Sequence, residues 1–133
     1  MNALTRQNVL DTADSLVEAF AAHDTEAYFA CFAADATFVF YAEPERLEDR
    51  AAYEALWADW SGSGWRVESC DSTDRLVQIV GETAIFSHSV RTLTSTDGVT
   101  TETAERETIV FAREASGALL AVHEHLSARP AQS

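Results

Sequence analysis

The chain of 133 residues has no lysine, two prolines, two cysteines and no long apolar run. Its nine basic residues face 22 acidic ones, which leaves a formal net charge of −13. Phosphate backbones and anionic membranes are recognised by clustered basic side chains, so this composition argues against nucleic-acid and membrane partners. Cys31 and Cys70 lie far apart and form no CxxC motif, which argues against a zinc site or a redox pair.

Features of targeting and of modular organisation are also missing from the sequence. No segment is long and apolar enough to span a bilayer, and the N-terminus lacks a basic region followed by an apolar run. We therefore expect a cytoplasmic protein. An apolar content of 47% is enough for a core, and no repeat or linker interrupts the chain. We expect a single domain over residues 1–133, in which 127–133 form a tail.

The first half of the chain has the apolar spacing of helices. Apolar residues three and four apart predict a helix over residues 5–22, capped by Thr5. Asp24 starts a second, short helix, and Asp49 caps a third over roughly 50–61. The apolar face of the short helix is expected to comprise Tyr28, Phe29 and Phe32.

The rest of the chain is rich in β-branched and aromatic residues. It predicts one strand after the short helix and four long strands after the third helix, over residues 37–41, 65–80, 83–95, 99–112 and 118–127. Short turns containing glycine separate the long strands, so these strands should form an antiparallel meander. Helices segregated from such a sheet make an α+β domain. A long, twisted sheet curving around helices leaves a conical cavity that suits a small ligand.

Four short motifs carry a family resemblance: Asp24-Thr-Glu26-Ala-Tyr28, Val80-Gly81-Glu82-Thr83-Ala84, Glu107-Thr108 and Val122-His123-Glu124-His125-Leu126-Ser127. In this order the chain resembles the SnoaL-like group of the nuclear-transport-factor-2-like superfamily, and most of all the association domain of calcium/calmodulin-dependent protein kinase II. The resemblance implies a cystatin-like cone, with three N-terminal helices packed in a strongly curved antiparallel sheet. It also implies a pocket without a cofactor and a homodimer formed through the outer sheet face. It implies no single activity, because the fold hosts many.

The resemblance to ketosteroid isomerases within this superfamily can be tested position by position. The hydrogen-bonding tyrosine of that pattern falls at Leu16, its general base at Phe40 and its protonated acid near Ala104. Proton abstraction next to a carbonyl needs a base within hydrogen-bonding reach, and none of these three side chains carries a titratable group. The isomerase constellation is therefore rejected.

A charged cluster on the sheet is the first candidate site. Of three pocket arginines in the kinase association domain, the resemblance keeps only Arg91, with Ser89 in the same strand phase. It predicts a cavity floor where Arg91 faces Glu107 and Glu124. We expect Arg91 and Ser89 to bind the ligand and the two glutamates to act as acid and base. A self-satisfied buried ion pair is the alternative interpretation.

Three histidines form a second candidate group. His123 and His125 share one strand face, and His88 is expected on the same side of the sheet. Three imidazoles could bind a transition metal. The strand phase instead places the terminal pair on the outer face, and the kinase association domain carries the same pair without a metal. We therefore expect no metal site and assign these histidines to a dimer interface or to solvent.

Aromatic residues complete the predicted ligand site, with Phe40, Tyr41, Trp57 and Trp60 expected to line its mouth. Two functions remain open. One is a small-molecule-binding domain of unassigned substrate that works as a cofactor-free isomerase, cyclase or lyase. The other is a non-catalytic homo-oligomerisation or ligand-sensing domain.

Overall fold

Three helices and five strands build residues 2–130, the part of the chain that the computed structural model describes. The elements are α1 (Arg6–Ala21), α2 (Thr25–Phe29), β1 (Phe32–Phe40), α3 (Arg50–Gly62), β2 (Trp65–Val80), β3 (Thr83–Thr96), β4 (Val99–Arg113) and β5 (Leu119–Ala128). The α+β order predicted from the sequence is confirmed.

Each helix begins at the capping residue that the sequence predicts. The side chains of Thr5, Asp24 and Asp49 each accept the backbone N–H three residues further on, at 3.1, 3.2 and 2.8 Å. These bonds satisfy amide groups that have no partner within the first helical turn. The caps therefore determine where the three helices enter the fold.

Strand β1 begins earlier than predicted. Phe32, expected on the short helix, is the first residue of β1 and pairs with Ala121. The N–H of Ala121 also donates to the carbonyl of Cys31 at 2.9 Å, so a long-range contact ends the helix before Phe32. Tyr41 lies beyond the end of β1, in the turn that follows.

The sheet has the strand order β1-β5-β4-β3-β2. The four meander strands are antiparallel as predicted, and β1 joins the edge parallel to β5. In β2 the pairing register shifts between Thr73 and Leu76, where Asp74 has a φ of +52°. Such bulges bend a strand and increase its twist. The curved sheet wraps around the helices and forms the cone.

The core lies between the concave inner face of the sheet and the helices. Arg75, at the β2 bulge, joins these layers, because its guanidinium lies 2.8 Å from Asp14 of α1 and 5.1 Å from the ring centre of Phe86. Strand β5 includes residues 127 and 128 of the predicted tail, and residues 131–133 of that tail lie outside the described residues. Within residues 2–130, no helix is long and apolar enough to cross a membrane.

Candidate functional site

A cavity of about 240 Å³ lies between the inner sheet face and the helices. Apolar and aromatic side chains of α1 and α3 form part of its wall, including Leu16, Phe20 and Trp60. The inner face of β3, β4 and β5 supplies most of its polar groups, because side chains of a strand alternate between the two faces. The site is therefore a largely apolar chamber with most of its polar groups on the sheet side.

His88 and Glu107 form the central polar contact. They are directly paired residues of β3 and β4, and the His88 Nε2 atom lies 2.8 Å from Glu107 Oε1. On the other side of the ring, His88 Nδ1 lies 2.6 Å from the hydroxyl of Ser72 in β2. The simplest assignment places the ring proton on Nε2, so that Ser72 donates to His88 and His88 donates to Glu107.

Ser72, His88 and Glu107 are residue types found in nucleophilic catalytic triads, but the serine is not accessible from the cavity. The His88 side chain is fully buried, and Ser72 is not part of the cavity wall. A nucleophilic serine must reach the reacting carbonyl, and Ser72 lies on the far side of the imidazole from the cavity group Glu107. This row of hydrogen bonds therefore orients Glu107 and does not present a nucleophile.

Glu124 is the most perturbed acid of the site. It is only 3% exposed and pairs with Ile109 on one side and Phe38 on the other, both fully buried. Burial raises the pKa of Glu124 well above its usual range, and the neighbouring Glu107 carboxyl adds to the rise by repulsion and by hydrogen bonding. Its Oε2 atom has no hydrogen-bond partner. Burial and the Glu107 carboxyl therefore both favour the proton-bearing form of Glu124.

Glu105 and Tyr41 form a second polar group in the cavity. The Tyr41 hydroxyl donates to Glu105 Oε2 at 2.6 Å, and Thr103 donates to Oε1 at 3.4 Å. Tyr41 is 50% exposed, which places this pair toward solvent. The hydrogen bond to Glu105 raises the pKa of Tyr41 to about 12. Burial raises the pKa of Glu105, against the opposing effect of the Tyr41 bond.

Two buried tyrosines add hydroxyl groups to the cavity. The hydroxyls of Tyr28 (α2) and Tyr53 (α3) lie 2.9 Å apart, and both residues line the cavity. Burial raises the pKa of both, with the nearby Glu124 as the second cause. They remain neutral at physiological pH and can exchange their mutual hydrogen bond for one to a ligand.

Arg91 and Ser89 lie outside the cavity, contrary to what the family resemblance implies. Arg91 is on the outer sheet face, where its side chain is 60% exposed and pairs with Glu102 at 2.8 Å. Ser89 shares that face and is not part of the cavity wall. The direct pairing of His88 with Glu107 explains the error, since Arg91 is three residues from His88 and has the opposite phase.

The predicted aromatic residues divide into two groups. Phe40, Tyr41 and Trp60 line the cavity, whereas Trp57 does not. Trp57 is 1% exposed, donates from Nε1 to Thr25 at 2.9 Å and packs against core aromatics. The helical turn directs Trp57 toward α2, so the expectation that it lines the ligand site is wrong.

The histidines lie on opposite faces of the sheet. His123 and His125 are on the outer face, where Thr37 lies 2.8 Å from His123 Nδ1, while His88 lies on the inner face. The expectation that His88 shares their side is wrong, because its register partner is Glu107. Among residues 2–130, no group of three His, Cys, Asp or Glu side chains is arranged to hold a metal ion.

Sequence reasoning missed His88 as a cavity residue. A signal was available in β3, where Ala84, Phe86 and Val90 are apolar and share the phase of His88. The intervening Ser87, Ser89 and Arg91 are polar, so binary patterning indicates the inward set correctly. The contact between Tyr28 and Tyr53 had no local signal in the sequence, because the two residues meet only through the packing of two helices.

This architecture is that of the nuclear transport factor 2-like cone proteins. A protein of that superfamily from Salmonella enterica superposes with a TM-score of 0.82 at 13% identity, over 96% of this chain and 92% of its own. A candidate dehydratase from Streptomyces avermitilis gives 0.78 at 21% identity, over 94% and 96%. A candidate calcium/calmodulin-dependent protein kinase II association domain from Xanthomonas campestris gives 0.77 at 16% identity, over 96% and 90%.

Sequence comparison identifies the family. Residues 9–132 match the SnoaL-like domain, and the chain belongs to that family. No curated protein matches the sequence.

Proposed function

We propose that this protein is an acid–base catalyst that needs no cofactor and works as an isomerase, cyclase or lyase on a small, largely apolar molecule. The observation that supports the proposal is the meeting of Glu124, Glu107 and His88 beside an apolar cavity. Catalytic proton transfer needs one group that donates and another that accepts, with environments that separate their protonation states. Glu124 is the acid, Glu107 is the base, and His88 orients the base.

The two glutamates also allow a complete proton cycle. In an elimination, Glu107 takes a proton from carbon while Glu124 gives its proton to the departing hydroxyl, which leaves as water. The site is then left with a protonated Glu107 and an ionised Glu124. Because the two carboxyls are within hydrogen-bonding reach, the proton returns from Glu107 to Glu124 and the starting state is restored. Isomerisation and cyclisation use the same two transfers without loss of water.

The cavity wall supports an apolar substrate with few polar groups. Phe40, Tyr53 and Trp60 contribute aromatic surface, and Tyr28 and Tyr53 offer hydroxyls for a substrate oxygen. The structural similarity to a candidate dehydratase agrees with elimination as one member of the proposed reaction class. The buried position of the two glutamates supports their assignment as the proton-handling residues, and a substrate screen would distinguish the three reaction types.

Deuterium uptake tests the proposal directly. Wild-type protein, Glu107→Gln, Glu124→Gln and the control Glu102→Gln are incubated in D2O with a panel of aromatic hydroxyketones. Mass spectrometry reports deuterium incorporation and loss of water. We expect turnover of at least one compound, and a loss of about 100-fold or more in each cavity variant. Glu102 pairs with Arg91 on the outer face, so its variant should match the wild type. No turnover in the panel, or full activity of Glu107→Gln, contradicts the proposal.

The second candidate function is a non-catalytic homo-oligomerisation or ligand-sensing domain. Its support is the outer face of β2, where Leu76 and Val80 are 55% and 65% exposed. Apolar side chains in that position suit a protein contact. A homodimer through the outer sheet face is compatible with either function. Light scattering separates them further: a ring larger than a dimer favours the assembly function, and a plain dimer favours the enzyme.

A further inference from the structure

A histidine ends α1 at a position where glycine is the usual residue. His23 has a φ of +53°, and its N–H donates to the carbonyl of Phe20 at 3.0 Å, while the N–H of Asp24 donates to Ala19 at 3.0 Å. Helix ends with these two bonds usually have glycine as the left-handed residue, because a side chain strains that conformation. A histidine held in this conformation indicates that its side chain has a use.

The ring of His23 connects two further elements. Its Nδ1 atom accepts the backbone N–H of Val67, near the start of β2, at 3.0 Å, and Nε2 lies 3.1 Å from the hydroxyl of Ser61 in α3. A ring nitrogen that accepts an N–H carries no proton, so the proton of the neutral ring is on Nε2 and is donated to Ser61. The neutral imidazole therefore joins the end of α1 to α3 and to β2.

The start of β2 is part of the cavity wall. Trp65 of β2 and Trp60 of α3 line the cavity, and both also line a surface groove of about 320 Å³ together with Ser63 and Thr96. The two tryptophans have ring centres 5.2 Å apart and form the wall that the cavity and the groove share. The ring centre of His23 lies 5.4 Å from that of Trp65, so the histidine supports this wall.

Protonation of His23 would remove the bond to Val67. An imidazolium donates from both ring nitrogens, so its Nδ1–H and the Val67 N–H would face each other without an acceptor. The Trp57 ring, 4.7 Å away between centres, attracts a cation but gives the Val67 N–H no new acceptor. The register of β2 shifts between Val67 and Ser69, and this irregularity separates the start of the strand from the rest. The start of β2 can therefore move without the whole strand.

We infer that His23 is a pH-sensitive latch on the entrance of the cavity: its protonation frees the first residues of β2, so that Trp65 moves and the cavity opens into the surface groove. The groove is then the route by which a small molecule enters. The latch acts on access and does not depend on the catalytic roles proposed for Glu107 and Glu124. It serves an enzyme and a ligand-sensing domain alike.

The surroundings of His23 favour the neutral, closed form near neutral pH. Burial lowers the pKa of His23 from its ordinary value of 6.5, and Arg66 of β2 lowers it further, whereas Glu68 of the same strand opposes them. The contacts from α3, Ser61 and Trp57, carry no charge. Because a released ring protonates more readily than a latched one, opening should increase as the pH falls below 6.5.

Hydrogen exchange of single amides tests the latch in the wild-type protein. The protection of the Val67 amide, measured by NMR from about pH 7.5 to 5, should fall by up to about tenfold per pH unit in the acidic part of this range. The Leu47 amide, which donates to Phe38 at 2.9 Å in another part of the fold, should keep its protection. Constant protection of Val67, or an equal loss at Leu47 that reports general unfolding, overturns the inference.

Fluorescence tests the movement of the shared wall. Quenching of tryptophan emission by acrylamide, a small neutral probe, should increase with the same pH midpoint as the exchange of the Val67 amide, because Trp60 and Trp65 become accessible together. Quenching that does not change with pH, while Val67 loses protection, overturns the assignment of the latch to the cavity entrance.

Two variants assign the pH dependence to His23. Asparagine has an acceptor at the place of Nδ1, tolerates a positive φ and does not titrate, so His23→Asn should keep the Val67 amide equally protected throughout the range. His125 is exposed on the outer face, so His125→Gln should retain the wild-type pH dependence. A dependence that survives in His23→Asn overturns the inference. Where His23→Asn does not fold, the ring nitrogen signals of His23 in the wild type decide, since a midpoint different from that of Val67 exchange also overturns it.

Discussion

The imidazole of His88 and the carboxyl of Glu107 meet on the inner face of the sheet, with Nε2 and Oε1 2.8 Å apart. The contact follows from backbone pairing, since the two residues are direct partners of β3 and β4. Such opposed residues have neighbouring side chains on one face. The sheet therefore fixes the position of Glu107. The pKa of the neighbouring Glu124 carboxyl depends on that position.

Replacing Glu107 with glutamine should lower the pKa of Glu124. Repulsion from Glu107 and a hydrogen bond between the two side chains both raise that pKa, after burial as the largest cause. An amide carries no charge, so Glu107→Gln removes the repulsion from Glu107 and leaves burial and the weaker repulsion from Glu105. NMR titration of the side-chain carboxyl carbons measures the change. The pKa of Glu124 should fall but remain above its ordinary value of 4.5.

Glu102→Gln is the matched control for that titration. Glu102 belongs to the same strand but points to the outer face, where it pairs with Arg91. Its replacement should leave the titration of Glu124 unchanged. If Glu107→Gln also leaves it unchanged, the two carboxyls are not coupled and the proposed proton return between them fails.

Glu124 should make the protein less stable as the pH rises. Its folded-state pKa lies above the unfolded value of 4.5, so between these values the folded state binds more protons than the unfolded state. The contribution of Glu124 to stability is therefore greatest below pH 4.5. It declines as the pH rises toward the folded-state pKa of this residue. Glu124→Gln removes the contribution and should flatten the slope in urea unfolding measured from about pH 5 to 8, a range that starts just above the unfolded value.

The pH dependence of stability that remains in the Glu124→Gln variant should come from Glu105. Glu105 also has a raised pKa, so the Glu124→Gln variant should keep a weaker decline of the same sign. At the upper end of the range the variant should be more stable than wild type by an amount on the order of 1 kcal/mol, because a buried charge no longer forms. A variant with the wild-type slope would show that Glu124 titrates normally in the folded protein.

Most of the fold could be predicted from the sequence because its signals are local. Gly81, Gly98 and Gly117 have positive φ angles in the hairpin turns, where glycine is free of the strain that other residues meet. Phe32 could not be assigned in the same way, because its strand conformation depends on pairing with Ala121, some 90 residues later in the chain. Long-range pairing of this kind has no local signal.

The site was predicted in part. The family resemblance, extended along the strands by their alternation, predicted that Glu107 and Glu124 share the cavity, and both line it; their catalytic role stays a prediction. Arg91 was assigned from a family resemblance, and a resemblance does not determine strand phase as firmly as the alternation of Phe86 and Val90 does. The unpaired Oε2 of Glu124 depends on the positions of all its neighbours and needs the structure.

Two arginines with different surroundings should respond differently to replacement by alanine. Arg91→Ala should change the free energy of unfolding by less than about 0.5 kcal/mol, because exposed ion pairs contribute little. Arg75→Ala should cost about 1–2 kcal/mol, because its side chain is 26% exposed, packs over Phe86 and contacts Asp14. Urea unfolding measures both. A large loss in Arg91→Ala would mean that the outer-face position of Arg91 is wrong.

The tyrosine pair provides a test of buried hydrogen bonding. The hydroxyls of Tyr28 and Tyr53 lie 2.9 Å apart inside the protein, and each is the other's partner. Tyr28→Phe or Tyr53→Phe alone leaves one hydroxyl without its partner and should cost about 1–3 kcal/mol in the free energy of unfolding. The double variant removes both groups, so it should cost no more than the worse single variant. A double-mutant cycle by urea unfolding measures the coupling. Additive losses would show that each hydroxyl is satisfied independently, by water or by another cavity group, and that the pair is not a closed unit.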